Sequence, residues 1–247
     1  MKTAFFVAVV TLAVVMLAIP VQAQTAQPQI RIFVAGDSTV SNYPQEAPQR
    51  GWGQMLSRFF NSNVSIINLA VSGASTKTFR ARGYWDKLLA QLKPGDYVMC
   101  QFGHNDSHGK SKQEATDADT DYQANLKKFI AEVNNKGACV ILITSMHRGV
   151  FGKDGKLIKQ NLQMYVEAMK KVAQENNVAL IDLYASSGEY MEKVGIDGIA
   201  PIFCGVKDDR THFSESGARA MAELIARDIS ASKSPLAKYL KQTSDRQ

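Results

Sequence analysis

Gly36-Asp37-Ser38-Thr39, Gly73, Gly103-His104-Asn105-Asp106 and Asp209-Arg210-Thr211-His212 supply a serine, amide donors, and a histidine three residues after a carboxylate. Acyl transfer needs a nucleophile, a base to take its proton, a carboxylate to hold the base, and donors aimed at the developing oxyanion. Ser38 is the candidate nucleophile, His212 the base and Asp209 its orienter; the amides of Ser38 and Gly73 and the side-chain amide of Asn105 are the candidate oxyanion donors. Each cluster also has a plainer reading. Gly-Asp-Ser is a common turn, a glycine such as Gly73 opens a tight connection, and Asp209 can serve as a dipole partner of the helix that follows.

The elements between the clusters decide whether they can meet. Ile30 to Ala35 is a short, β-branched apolar run that stops at Gly36, which is how a buried parallel strand feeding a loop reads. Further strands are expected at Val64–Leu69, Tyr97–Phe102, Cys139–Thr144 and Val178–Leu183, with helices over Gly51–Phe60, Tyr84–Leu92, Tyr122–Asn135, Asn161–Asn176 and Ser214–Ser230. In the first of these helices Trp52, Met55, Leu56, Phe59 and Phe60 fall at core spacing, and Ser214 is the expected N-cap of the last. Five strands alternating with helices predict a parallel sheet covered on both faces, joined by right-handed crossovers. The serine, glycine and asparagine clusters then share one edge, and the Asp-x-x-His cluster folds back to it.

Residues 1–23 read as a secretory signal: Met1-Lys2, an apolar run from Ala4 to Ile19, Pro20, and the small-residue site Val21-Gln22-Ala23. A membrane anchor is the competing reading, against which the run is short and ends in proline. Secretion or a periplasmic location is expected, with residues 24–247 forming a single domain and making no stable membrane insertion. The chain carries 29 basic and 23 acidic residues, a net charge of +6, which is compatible with a polyanionic substrate. Cys100, Cys139 and Cys204 are an odd number, and the first two, in strand-like runs, are expected to be buried packing residues. His147-Arg148 is a candidate substrate-rim pair, with Arg50, Lys110 and Lys112 as weaker ones. There is no Gly-x-Ser-x-Gly, no Gly-x-Gly-x-x-Gly and no complete phosphate-binding loop. Nucleic acid is not an expected partner.

The four clusters occur in the order, and over nearly the whole length, of the SGNH (GDSL) hydrolase family, which the chain resembles. Within it, Gly36-Asp37-Ser38-Thr39, Gly51-Trp52-Gly53-Gln54, Gly103-His104-Asn105-Asp106 and Asp209-Arg210-Thr211-His212-Phe213-Ser214 look most like the rhamnogalacturonan acetylesterase branch. The resemblance implies a flavodoxin-like three-layer α/β/α sandwich and a serine esterase whose chemistry requires no metal; no cofactor is expected, and a monomer is expected. Its implied partner is an acetylated acidic polysaccharide, or oligosaccharides of it, from pectin. An acetylxylan esterase, another carbohydrate or lipid esterase, and a catalytically silent carbohydrate-binding protein are the alternatives.

Overall fold

The structure is a computed structural model that describes residues 29–242; the expected signal segment lies outside them. Five strands, β1 (Ile30–Gly36), β2 (Val64–Asn68), β3 (Tyr97–Gln101), β4 (Cys139–Ile143) and β5 (Ala179–Ile181), form one sheet. Every pairing is parallel and the order is β2-β1-β3-β4-β5. This is the flavodoxin-like order. The chain turns towards β2 after β1 and towards β4 after β3, so a crevice opens beyond the carboxyl ends of β1 and β3.

Alternate residues of each strand feed two separate cores, as the two-residue period of a strand requires. Ile32, Val34, Met99, Ile141 and Ile143 pack with α1 (Trp52–Met55), α6 (Leu183–Gly198) and α7 (Glu215–Ala231). Phe33, Ala35, Val98, Cys100, Val140 and Leu142 face the other way, against α2 (Thr76–Ala81), α3 (Tyr84–Leu89), α4 (Asp121–Asn135) and α5 (Leu162–Glu175). Three layers result. On the second face Trp85 stacks on Phe129 at 3.9 Å, and its indole N–H donates to Glu132, which also binds Arg80. The apolar area and the buried donor are thus both satisfied.

The expected helix over Gly51–Phe60 divides into α1 and a 3-10 turn, Leu56–Phe59, with its apolar residues buried as the spacing required. Its glycines are there for close approach. A Cβ on Gly51 would lie 2.3 Å from the Ser41 oxygen, and one on Gly53 2.5 Å from the Val40 oxygen. Cys139 departs from expectation: it is exposed, because it opens β4 at the amino edge of the sheet, whereas Cys100, inside β3, is fully buried. Burial pushes the Cys100 thiol up to about 12, so it is a packing residue and not a thiolate. No helix among the described residues is long and apolar enough to cross a membrane.

Candidate active site

Ser38 leaves β1 in a turn held by several buried hydrogen bonds. The Asp37 carbonyl accepts from the amides of Val40 and Ser41 and from the Ser41 hydroxyl. Thr39 donates twice to Asp37 Oδ1, its hydroxyl accepts from Gln101 Nε2 at 2.7 Å, and Gln101 Oε1 accepts from the Trp52 indole at 2.7 Å. The turn therefore rests on a buried chain of hydrogen bonds, Trp52 to Gln101 to Thr39 to Asp37. A network of this kind fixes geometry best when every member has its partner. One atom falls outside it, Asp37 Oδ2, which is buried without a partner. Burial pushes the Asp37 carboxyl up to about 6 against the pull of Thr39.

His212 reaches this turn from the far end of the chain. The amides of Thr211 and His212 both donate to Asp209 Oδ1 at 2.9 Å, folding Asp-x-x-His into a hairpin of side chains. Ser214 then caps α7 by accepting from the Gly217 amide, as expected. Asp209 Oδ2 lies 2.8 Å from His212 Nδ1, and His212 Nε2 lies 2.8 Å from Ser38 Oγ. Burial would raise the Asp209 carboxyl, but the two amides and the imidazole hold it below the ordinary value. An ionised carboxylate only accepts, so the ring proton sits on Nδ1 and Nε2 is free to accept from the serine. The arrangement can deprotonate Ser38 as its oxygen attacks an ester.

The other three histidines are otherwise engaged. His104 is buried with Nε2 against Met146, and burial, reinforced by Arg148 and His212, lowers it well below the ordinary range. His108 pairs with Glu114, and His147 lies tilted against the Tyr184 ring with Nδ1 at the Arg148 carbonyl. Only His212 meets a hydroxyl that could attack.

Asn105 stands just beyond β3 and is 8% exposed, as is Ser38. Its Nδ2 donates one hydrogen to the Ala74 carbonyl at 2.9 Å, leaving the second for the cleft. Gly73 precedes that carbonyl with φ +76°, a left-handed conformation that favours glycine. Leu69 and Val71 extend the ladder by donating to Val34 and Gly36, which carries the Gly73 turn past the end of β1. The amides of Ser38 and Gly73 donate to no protein acceptor among the described residues. Ser38, Asn105, Asp209 and His212 line one cleft of about 360 Å³ with His104, His108 and Arg148; Gly73 stands outside that lining. Of the other rim candidates, Arg50 instead clamps its own loop through the carbonyls of Gln45, Ala47 and Gln49. A hollow of about 550 Å³ at the opposite edge of the sheet, by Tyr97, Cys139 and Val178, has no comparable set of reacting groups.

Asp106 locks the asparagine loop to the glycine loop. It accepts from the Thr76 amide and hydroxyl and from the Thr116 hydroxyl, yet burial pushes it up to about 7 from an ordinary 3.8. The folded protein thus holds this proton more tightly than the unfolded chain, so its contribution to stability falls as pH rises from about 4 to about 7. Asp106→Asn keeps the acceptor and removes the charge. Its unfolding free energy relative to wild type is expected to improve by a few kcal/mol across that window in urea titrations. A difference that stays flat with pH would sink this account.

The profile of the GDSL-like Lipase/Acylhydrolase family matches residues 34–220, a span that takes in all four clusters. The chain belongs to the GDSL-like lipase/acylhydrolase family. It is similar to the probable rhamnogalacturonan acetylesterase YesY of Bacillus subtilis (strain 168), 36% identical over 201 residues, 80% of this chain and 91% of that one. It is also similar to the rhamnogalacturonan acetylesterase RhgT of the same organism, at 36% identity over 85% of this chain and 94% of that one. Among solved structures, Bacillus subtilis YxiM aligns with a TM-score of 0.73 at 31% identity. That alignment covers 81% of this chain and only 56% of YxiM, so this chain spans about half its length. As a member of the family, the chain is a carboxylic ester hydrolase with the SGNH fold.

Proposed function

We propose that this hydrolase removes O-acetyl groups from acetylated rhamnogalacturonan by way of an acetyl-Ser38 intermediate. The observation that carries the chemistry is His212 standing 2.8 Å from both Ser38 Oγ and Asp209 Oδ2. The choice of polymer is supported by the likeness to YesY and RhgT. Ser38 Oγ attacks the acetyl carbonyl as its proton passes to His212 Nε2, and the charge on His212 is stabilised by Asp209. The amides of Ser38 and Gly73 and the Asn105 side chain receive the oxyanion. His212 returns the proton to the departing sugar hydroxyl, and a water repeats the sequence on the acetyl-serine, releasing acetate.

Loss of one oxyanion donor is expected to lower turnover by about 10²–10³, so Asn105→Ala should be nearly inactive while folded. Retention of a tenth of the wild-type kcat would remove Asn105 from the site. The substrate is tested by acetate release from acetylated rhamnogalacturonan, acetylated homogalacturonan and acetylxylan side by side. Fast release from the first supports the reading; release from xylan alone would keep the chemistry and overturn the polymer. On this reading the protein acts outside the cytoplasm as a monomer, after removal of residues 1–23.

A further inference from the structure

Arg148 lines the Ser38 cleft beside His104 and Asn105, on the segment that leaves β4 at the carboxyl edge of the sheet. Its guanidinium is half-buried, and that burial lowers its hold on its proton. Two neutral acceptors position it: Nη1 donates to Gln160 Oε1 at 2.9 Å and Nη2 to the His104 carbonyl at 3.4 Å. No carboxylate pairs with it among the described residues. The negative group it senses is Asp37, sealed beneath the serine turn. Arg31 and Arg80, also partly buried, are each forked onto a carboxylate, of Asp96 and Glu132.

A guanidinium presents five N–H donors in a rigid plane, and two bonds leave most of that fork unfilled. A cation withdrawn from water without a counter-charge destabilises the protein, and the loss is recovered when an anion of matching geometry arrives. We propose that Arg148 reads the charge of the substrate, forming a forked ion pair with a uronate carboxylate while the acetyl group is seated at Ser38. The inference rests on the polysaccharide deacetylation proposed above and adds which feature of the polymer is recognised. Asp208, the uncommitted carboxylate at the rim, is exposed, and solvent screens it more than it screens Arg148.

The test uses acetylated rhamnogalacturonan oligosaccharides and the same oligosaccharides with their carboxyl groups reduced to primary alcohols. Wild-type kcat/KM is expected to favour the acidic form by roughly 10- to 100-fold, the scale of a charge-assisted forked hydrogen bond. In Arg148→Gln that ratio should collapse towards one, mainly through KM, and Arg148→Lys, with charge but no fork, should recover part of it. A variant that loses activity on both forms equally, keeping the wild-type ratio, would make Arg148 structural and overturn the inference. So would a wild-type ratio near one, a result that depends on no variant folding. A wild-type protein that cleaves 4-nitrophenyl acetate but neither oligosaccharide would instead remove the deacetylation reading, and this inference with it.

Discussion

Ser38→Ala is expected to lower kcat for acetate release by roughly four to six orders of magnitude, leaving only what the oxyanion donors and binding supply. The variant should nonetheless fold normally. The Ser38 side chain bonds to His212, while the turn itself is held by Asp37, Thr39 and Ser41, and the Ser38 carbonyl by the Tyr43 hydroxyl. Thermal unfolding should therefore match wild type to within about 0.5 kcal/mol. Initial rates on acetylated oligosaccharides and on 4-nitrophenyl acetate provide the measurement. More than about one per cent of wild-type turnover, well above what a serine nucleophile leaves behind, would require another group to attack.

Asp209→Asn is expected to cost about 10⁴ in kcat, for a reason that lies in one proton. The asparagine oxygen would keep the Thr211 and His212 amides that Asp209 Oδ1 now holds, so its NH₂ would face His212 Nδ1. That NH₂ donates, which drives the ring proton to Nε2, and a protonated Nε2 cannot accept from Ser38. Geometry is kept and chemistry is lost. Because both changes disable one unit, the Ser38→Ala, Asp209→Asn double variant should be no slower than Ser38→Ala alone. A double variant slower by the product of the two effects would mean that Asp209 acts apart from His212.

The parts of this molecule that were legible in its sequence are those written locally. The β-branched run ending at Gly36 and the three-residue spacing of Asp209 and His212 each specify a short piece of geometry, and the sheet brings those pieces together. The rest depends on long-range contact or on weak local signals. Trp52, Gln101 and Thr39 form one chain although their bonds span 49 and 62 residues. The helix α2 begins Thr76-Lys77-Thr78, whose two threonines are poor helix formers, and it succeeds because Ser75 and Thr78 cap each other reciprocally. The helix α6 carries Gly188 and a kink at Gly195, where φ is +75°, which blurs its periodicity. Arg148 was visible as a cation near the rim, but its lack of a carboxylate could be seen only with its neighbours in place.

Ser38 and His212 are separated by 174 positions. Everything that holds the serine turn, including Gln101, is in place within the first half of the chain, whereas the base arrives with the loop that starts α7, the helix that closes one face of the sheet. A partly folded chain with a formed sheet and an undocked α7 would carry a rigid serine with nothing to take its proton. Esterase activity on refolding therefore requires α7 to have docked, so turnover reports that Ser38 and His212 have met.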